Sequence, residues 1–142
     1  MFKRVLVPTD ASEYSRRALK NALEIARQIH AEVELLYVMA PPEAYWGPYV
    51  ARSFEISTQE IEQGGERVLE NTLEGLDIGG VSLKTKKLQG HPATLIIEEV
   101  KKENIDLIVM GSRGYGPIAG SILGSVSQRV LQRAGCCVLI VK

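Results

Sequence analysis

The chain has 142 residues, 45% apolar and 24% charged, with seventeen basic side chains against seventeen acidic ones. That length predicts one domain, 1–142, with enough apolar material for a real core. The cancelled charge argues against nucleic acid as a partner, and the lack of a long apolar run argues against a membrane span.

The chain opens at once in strand-like sequence, Phe2 to Pro8, with no secretory pattern before it, and a soluble cytoplasmic protein is the expectation. Val5, Leu6 and Val7 are consecutive apolar residues, as in a strand buried on both faces. Thr9-Asp10-Ala11-Ser12 is a turn rich in helix-capping side chains, and a helix from about Glu13 to His30 follows. Ala18, Leu19, Ala22, Ile25, Ala26 and Ile29 form its apolar face. Glu32 to Met39 reads as the second strand. Ala40 to Tyr49 carries three prolines and three aromatics and reads as a loop, either a surface loop or a lid or partner-contact segment.

A second helix is predicted over about 53–75, with Ile61, Val68, Leu69, Thr72, Leu73 and Leu76 as its stripe. Gly64-Gly65 lowers its stability by roughly 1 kcal/mol per glycine, so a kink or break is expected there. Gly79-Gly80 is a turn, and the third strand, Val81 to Gln89, carries Lys84, Lys86 and Lys87, which places it at a sheet edge. Pro92 opens the third helix, with Leu95, Ile96, Ile97 and Val100 packing, Glu98, Glu99, Lys101, Lys102 and Glu103 facing water, and Asn104 as the stop. The fourth strand is Ile105 to Met110, the last helix spans about 124–133 and ends at Gly135, and Cys136 to Val141 is the fifth strand. Adjacent Cys136 and Cys137 point to opposite faces of that strand, so they are expected as reduced core or interface residues.

Between the fourth strand and the last helix lies GSRGYGPIAGSILGSVS, residues 111–127. Glycine permits positive φ and lets a ligand lie against backbone N–H groups. The helix start at Gly124-Ser125-Val126-Ser127 offers amide donors and the positive end of a dipole. Together these predict a phosphate cradle. GxxxxGK[ST] is absent, no lysine lies between 103 and 141, and the dinucleotide GxGxxG is absent too.

The spacing Gly111, two residues, Gly114, nine residues, Gly124-Ser125 resembles the ATP-binding branch of the universal stress protein family, and the resemblance covers nearly the whole chain, from Val5 to Val141. It implies an open five-stranded parallel sheet with helices on both faces, Rossmann-like and similar to the adenine nucleotide alpha-hydrolases, in the order 3-2-1-4-5. The alternation of strands and helices independently predicts a parallel α/β sheet, whose ligands bind at the carboxyl ends of strands where the order reverses. By the resemblance, Pro8, Thr9 and Asp10 lie near adenine and ribose, Val38 meets adenine through its backbone, and Met110 and Gly111 lie beneath the ribose. Ser112, Arg113, Gly114, Gly124, Ser125, Val126 and Ser127 form the ribose- and phosphate-binding segment, with Arg113 screening phosphate charge. The implied ligand is ATP or another adenine nucleotide, with Mg2+ or Mn2+ helped by Asp10, which otherwise reads as a cap of the first helix. The implied assembly is a homodimer through Cys136–Val141, as an apolar edge strand invites.

Catalysis has less support in the sequence. Phosphoryl transfer to water needs a positioned water, a metal and charge stabilisation. Asp10 and Arg113 are the only candidates, while His30 reads as a helix-end cation and His91 as a turn residue. No Ser-His-Asp set or metal-ligand cluster emerges. The sequence reading is therefore a dimeric, nucleotide-dependent stress regulator with an unidentified protein partner. Its alternatives are a nucleotide-independent, chaperone-like dimer and a slow ATPase.

Overall fold

The computed structural model describes residues 1–41, 58–114 and 123–142. The proline-aromatic loop from residue 42 onward, the first residues of the expected second helix and residues 115–122 of the glycine loop lie outside the described residues. The elements run β1 (Arg4–Thr9), α1 (Glu13–Ile29), β2 (Glu32–Met39), α2 (Thr58–Leu73), β3 (Leu83–Gln89), α3 (Pro92–Lys102), β4 (Leu107–Gly111), α4 (Ser125–Arg133) and β5 (Cys137–Val141). All pairings are parallel, in the order β3-β2-β1-β4-β5.

The two-residue period of the strands divides the core between the faces. Val5 and Val7 of β1, Val33 and Leu35 of β2, and Leu107 and Val109 of β4 pack against α1 and Leu69 of α2. Leu6, Leu36, Val38, Ile108 and Met110 pack against Ala93, Ile96 and Val100 of α3 and Val130 of α4. Fully buried aliphatic side chains such as Leu6, Leu19, Leu35 and Ile108 each contribute about 1.5–3 kcal/mol. No described helix is long and apolar enough to cross a membrane.

The carboxyl ends of β1 and β4 are the part of the sheet that matters for a site. β1 pairs with β2 over six residues, Arg4↔Glu32 to Thr9↔Tyr37. With β4 it pairs only at Val5↔Leu107 and Leu6↔Ile108. Two residues further on stands Pro8, which has no N–H to extend a ladder. At the other end the seam is fastened by Asp106, whose carboxylate accepts the N–H groups of Lys3 (2.8 Å) and Arg4 (3.2 Å).

Several expectations change. α2 runs unbroken through Gly64-Gly65. Gly65 is there for space: a Cβ would stand 2.9 Å from Lys87 Cδ and 3.1 Å from Met39 Sδ. α4 is closed by Ala134 in extended conformation, and Gly135 does not have positive φ. Glu99 does not face water. It is 3% exposed and pairs with Lys86.

That pair belongs to a charged brace between β2, β3 and α3. Glu34, 2% exposed, meets Lys84 Nζ at 2.8 Å, while neither of its oxygens accepts a well-aligned hydrogen bond. Lys84 and Lys86 also reach Glu103, at 3.2 and 3.5 Å. Burial pushes the Glu34 carboxyl above the ordinary glutamate value; Lys84 opposes this, and the neighbouring Glu99 adds to it. Lys84 and Lys86 are held above the usual lysine value chiefly by the carboxylates they meet, Glu34 and Glu99 respectively. The edge lysines of β3 thus serve as ties to β2 and α3 as well as solvated guards.

Candidate functional site

A cavity of about 480 Å³ opens at the carboxyl ends of β1 and β4. Pro8, Thr9 and Asp10 line it from one strand end, Met110 and Gly111 from the other, and Val38 from the end of β2. Arg113, Gly114, Gly124, Ser125, Val126 and Ser127 complete the sequence-predicted set. Ser112 is absent from the lining. It is 4% exposed, its N–H donates to Val141 O (2.8 Å), and its carbonyl accepts from Gly124 N (2.7 Å). Ser112 therefore fastens the glycine segment to β5 and to the start of α4.

The glycines act through close approach. Neither Gly111 nor Gly114 has positive φ, contrary to the expectation for such a loop. At Gly111 a Cβ would stand 2.7 Å from Tyr14 Cβ and 2.8 Å from the Tyr14 carbonyl carbon, because the first turn of α1 packs on this strand end. At Gly114 a Cβ would stand 2.2 Å from Asp10 Oδ2. The Asp10 carboxylate thus occupies the space that a side chain at position 114 would fill.

The two helix starts at this end of the sheet differ. α1 is capped: Ser12 is its N-cap, and its hydroxyl accepts the N–H of Ser15 at 3.3 Å. Asp10 is not that cap. Its Oδ1 accepts the N–H of Ser12 (2.9 Å) and the hydroxyl of Ser15 (3.2 Å), closing a turn in which Ala11 has φ 64°. α4 begins at Gly124, which brings no capping side chain. Its first amides have no partner within the helix, and the positive dipole end meets the cavity. Ser127 Oγ donates to Gly111 O at 2.8 Å, locking α4 to the end of β4.

Ser15, Leu36, Tyr37, Pro92 and Ile96 also line the cavity and were not foreseen. Ser15 was legible in principle, since it precedes Ala18, Leu19 and Ala22 on the inward stripe of α1. Pro92 and Ile96 reach the cavity because α3 crosses the face that carries Leu36 and Val38. The lining then combines an apolar end (Leu36, Val38, Pro92, Ile96, Met110) with a polar end (Asp10, Arg113 and the start of α4). Such a lining suits a small molecule that carries both an apolar and a charged part. Among the described residues, no three or more His, Cys, Asp or Glu side chains converge to hold a metal.

Fold and cavity define a doubly wound α/β protein with its crevice at the reversal of strand order. The model of the universal stress protein family matches residues 1–142, and the chain belongs to that family. Universal stress protein MJ0531 of Methanocaldococcus jannaschii is 35% identical over 142 residues, covering 100% of this chain and 83% of the relative. Among solved structures, hypothetical protein MJ0577 is similar with a TM-score of 0.81 at 29% identity, covering 100% of this chain and 96% of that one. A universal stress protein in complex with cAMP is similar with a TM-score of 0.68 at 26% identity, covering 99% and 96%.

Proposed function

We propose that this chain binds an adenine nucleotide, with ATP as the physiological ligand, and acts as a nucleotide-dependent regulator rather than a fast enzyme. The carrying observation is that one cavity gathers all the sequence-predicted residues except Ser112, with apolar side chains and an uncapped helix start both in its lining. Adenine fits between Val38 and the Pro92–Ile96 turn, the ribose over Met110 and Gly111 beside Asp10, and the phosphates at Gly114 and Gly124–Ser127 near Arg113. The solved relative in complex with cAMP supports the ligand class. Among the described residues, Asp10 is the only carboxylate lining the cavity. A Mg2+ or Mn2+ ion there would arrive with the nucleotide, sharing Asp10 with phosphate oxygens.

The protein is further proposed to pair with a second copy along β5. β5 is bonded to β4 on one side, and Cys137 and Leu139 are exposed along it. Mass spectrometry of small molecules released from freshly purified, denatured protein, followed by calorimetry with ATP, ADP, AMP and cAMP, tests the ligand. ATP near one per chain, or preferred in titration, is the expected result. Gly114→Asp should abolish binding, because its carboxylate would meet that of Asp10. Wild-type protein that carries and binds no adenine nucleotide would refute the assignment.

A further inference from the structure

We propose that Thr72 of α2 is a positioning residue for the cavity, acting on Asp10 through a chain of buried hydroxyls, Thr72–Thr9–Ser15. The inference rests on the assignment of the cavity to an adenine nucleotide and specifies how occupancy is felt outside it. All three hydroxyl residues are removed from water: Thr72 is 0%, Thr9 7% and Ser15 4% exposed. Thr9 Oγ1 lies 2.7 Å from Thr72 Oγ1 and 3.0 Å from Ser15 Oγ, and Ser15 Oγ lies 3.2 Å from Asp10 Oδ1. The chain joins three elements: α2, the end of β1 and the first turn of α1.

Each hydroxyl has one proton to give: that of Thr9 goes to Ser15 or Thr72, that of Ser15 to Asp10 or Ser12 O, and two of the resulting settings mark the extremes of what reaches Asp10. In the first, Thr72 donates to Thr9, Thr9 to Ser15, and Ser15 to Asp10. The bonds all point toward the cavity and polarise one another, strengthening the last one to the carboxylate. In the second, Thr72 donates to Val68 O (2.7 Å), Thr9 donates to Thr72, and Ser15 turns to Ser12 O (2.9 Å). The N–H of Ala11 donates to Thr9 Oγ1 at 2.9 Å in either setting, so the Thr9 proton sets the direction of the Thr72–Thr9–Ser15 links, and a Ser15 hydroxyl that accepts from Thr9 is the stronger donor to Asp10.

An ionised Asp10 favours the first setting. A ribose hydroxyl or hydrated cation that engages Asp10 lowers its demand for the Ser15 proton and favours the second. The ligand and Thr72 are then linked through one two-state element, and the coupling is reciprocal. A valine at 72 can neither accept from Thr9 nor donate to it, so Thr9 goes on donating to Ser15, which strengthens the Ser15 bond to Asp10 against which the ligand must compete.

The test is calorimetric titration with ATP of wild type, Thr72→Val, Thr72→Ser, Ser15→Ala and the Ser15→Ala/Thr72→Val double variant, each checked for folding by circular dichroism. Thr72→Val should weaken ATP binding by about five- to tenfold, and Thr72→Ser should restore it. In the Ser15→Ala background the valine should have no further effect, since the chain is already cut. A Thr72→Val protein that binds like wild type, a loss that persists in the Ser15→Ala background, or failure of serine to rescue would each overturn the relay while leaving the nucleotide assignment intact. Wild-type protein that binds no adenine nucleotide would remove both.

Discussion

Gly111 and Gly114 are spaced as in a phosphate loop, but the structure gives each a different neighbour. Gly111 faces the backbone of Tyr14, and Gly114 faces the side chain of Asp10. The two should therefore respond differently to alanine. Gly111→Ala pushes a methyl into a helix that cannot yield and should lower stability by about 1–3 kcal/mol, measured by urea unfolding. Gly114→Ala need only displace a carboxylate. Its melting temperature should stay close to wild type while ATP affinity falls tenfold or more, by about 1.4 kcal/mol. An unstable Gly114→Ala with unchanged affinity would mean that the Asp10 carboxylate does not belong to the binding surface. The sequence offered glycine spacing here but not the reason for it, because the atoms that exclude a Cβ come from residues about a hundred positions earlier.

Elements were legible where one period dominates. The strands, α1 and the start of α3 follow from local pattern and from Pro92, but Glu99 shows the limit of period alone. It sits among Glu98, Lys101 and Lys102, and only the pairing of β3 beside β2 brings Lys86 over it and seals it from water. Glu34 is the more consequential member of that brace. Its folded pKa is raised, so the folded state holds its proton more firmly than the unfolded chain does. The associated stability is complete below the ordinary glutamate value and is lost as pH rises through the raised value. At neutral pH the buried charge is thus a burden, with Glu99 beside it and Lys84 able to keep Glu103. Glu34→Gln should raise the melting temperature by about 3 °C at pH 8, and the gain should shrink as pH falls toward 5. A variant less stable than wild type at pH 8 would show that the Lys84 pairing outweighs desolvation.

For the whole molecule, alternation of strands and helices gave the parallel sheet, but the strand order came from family resemblance. Nothing in local periodicity says that β4 lies beside β1. The same order leaves β5 at an edge with Leu139 39% exposed. Replacing Leu139 with lysine, a residue that guards edges against pairing, should convert a dimer to a monomer in analytical ultracentrifugation without changing the circular dichroism spectrum. A wild-type chain that sediments as a monomer would remove the proposed pairing.

The seam between β1 and β4, only two residue pairs long, bears on how the molecule is made. Everything on one side of it, β1 through β3, is contiguous in the chain and contains three neighbouring strands with their helices. During synthesis that half leaves the ribosome first, but the domain folds as a unit, because Leu107 and Val109 of β4 complete the core on α1. The crevice does not exist until β4 and α4 arrive to form its far wall. A nascent chain that lacks β4 and α4 therefore has no far wall for the proposed nucleotide to rest against, and the site forms only after both have emerged.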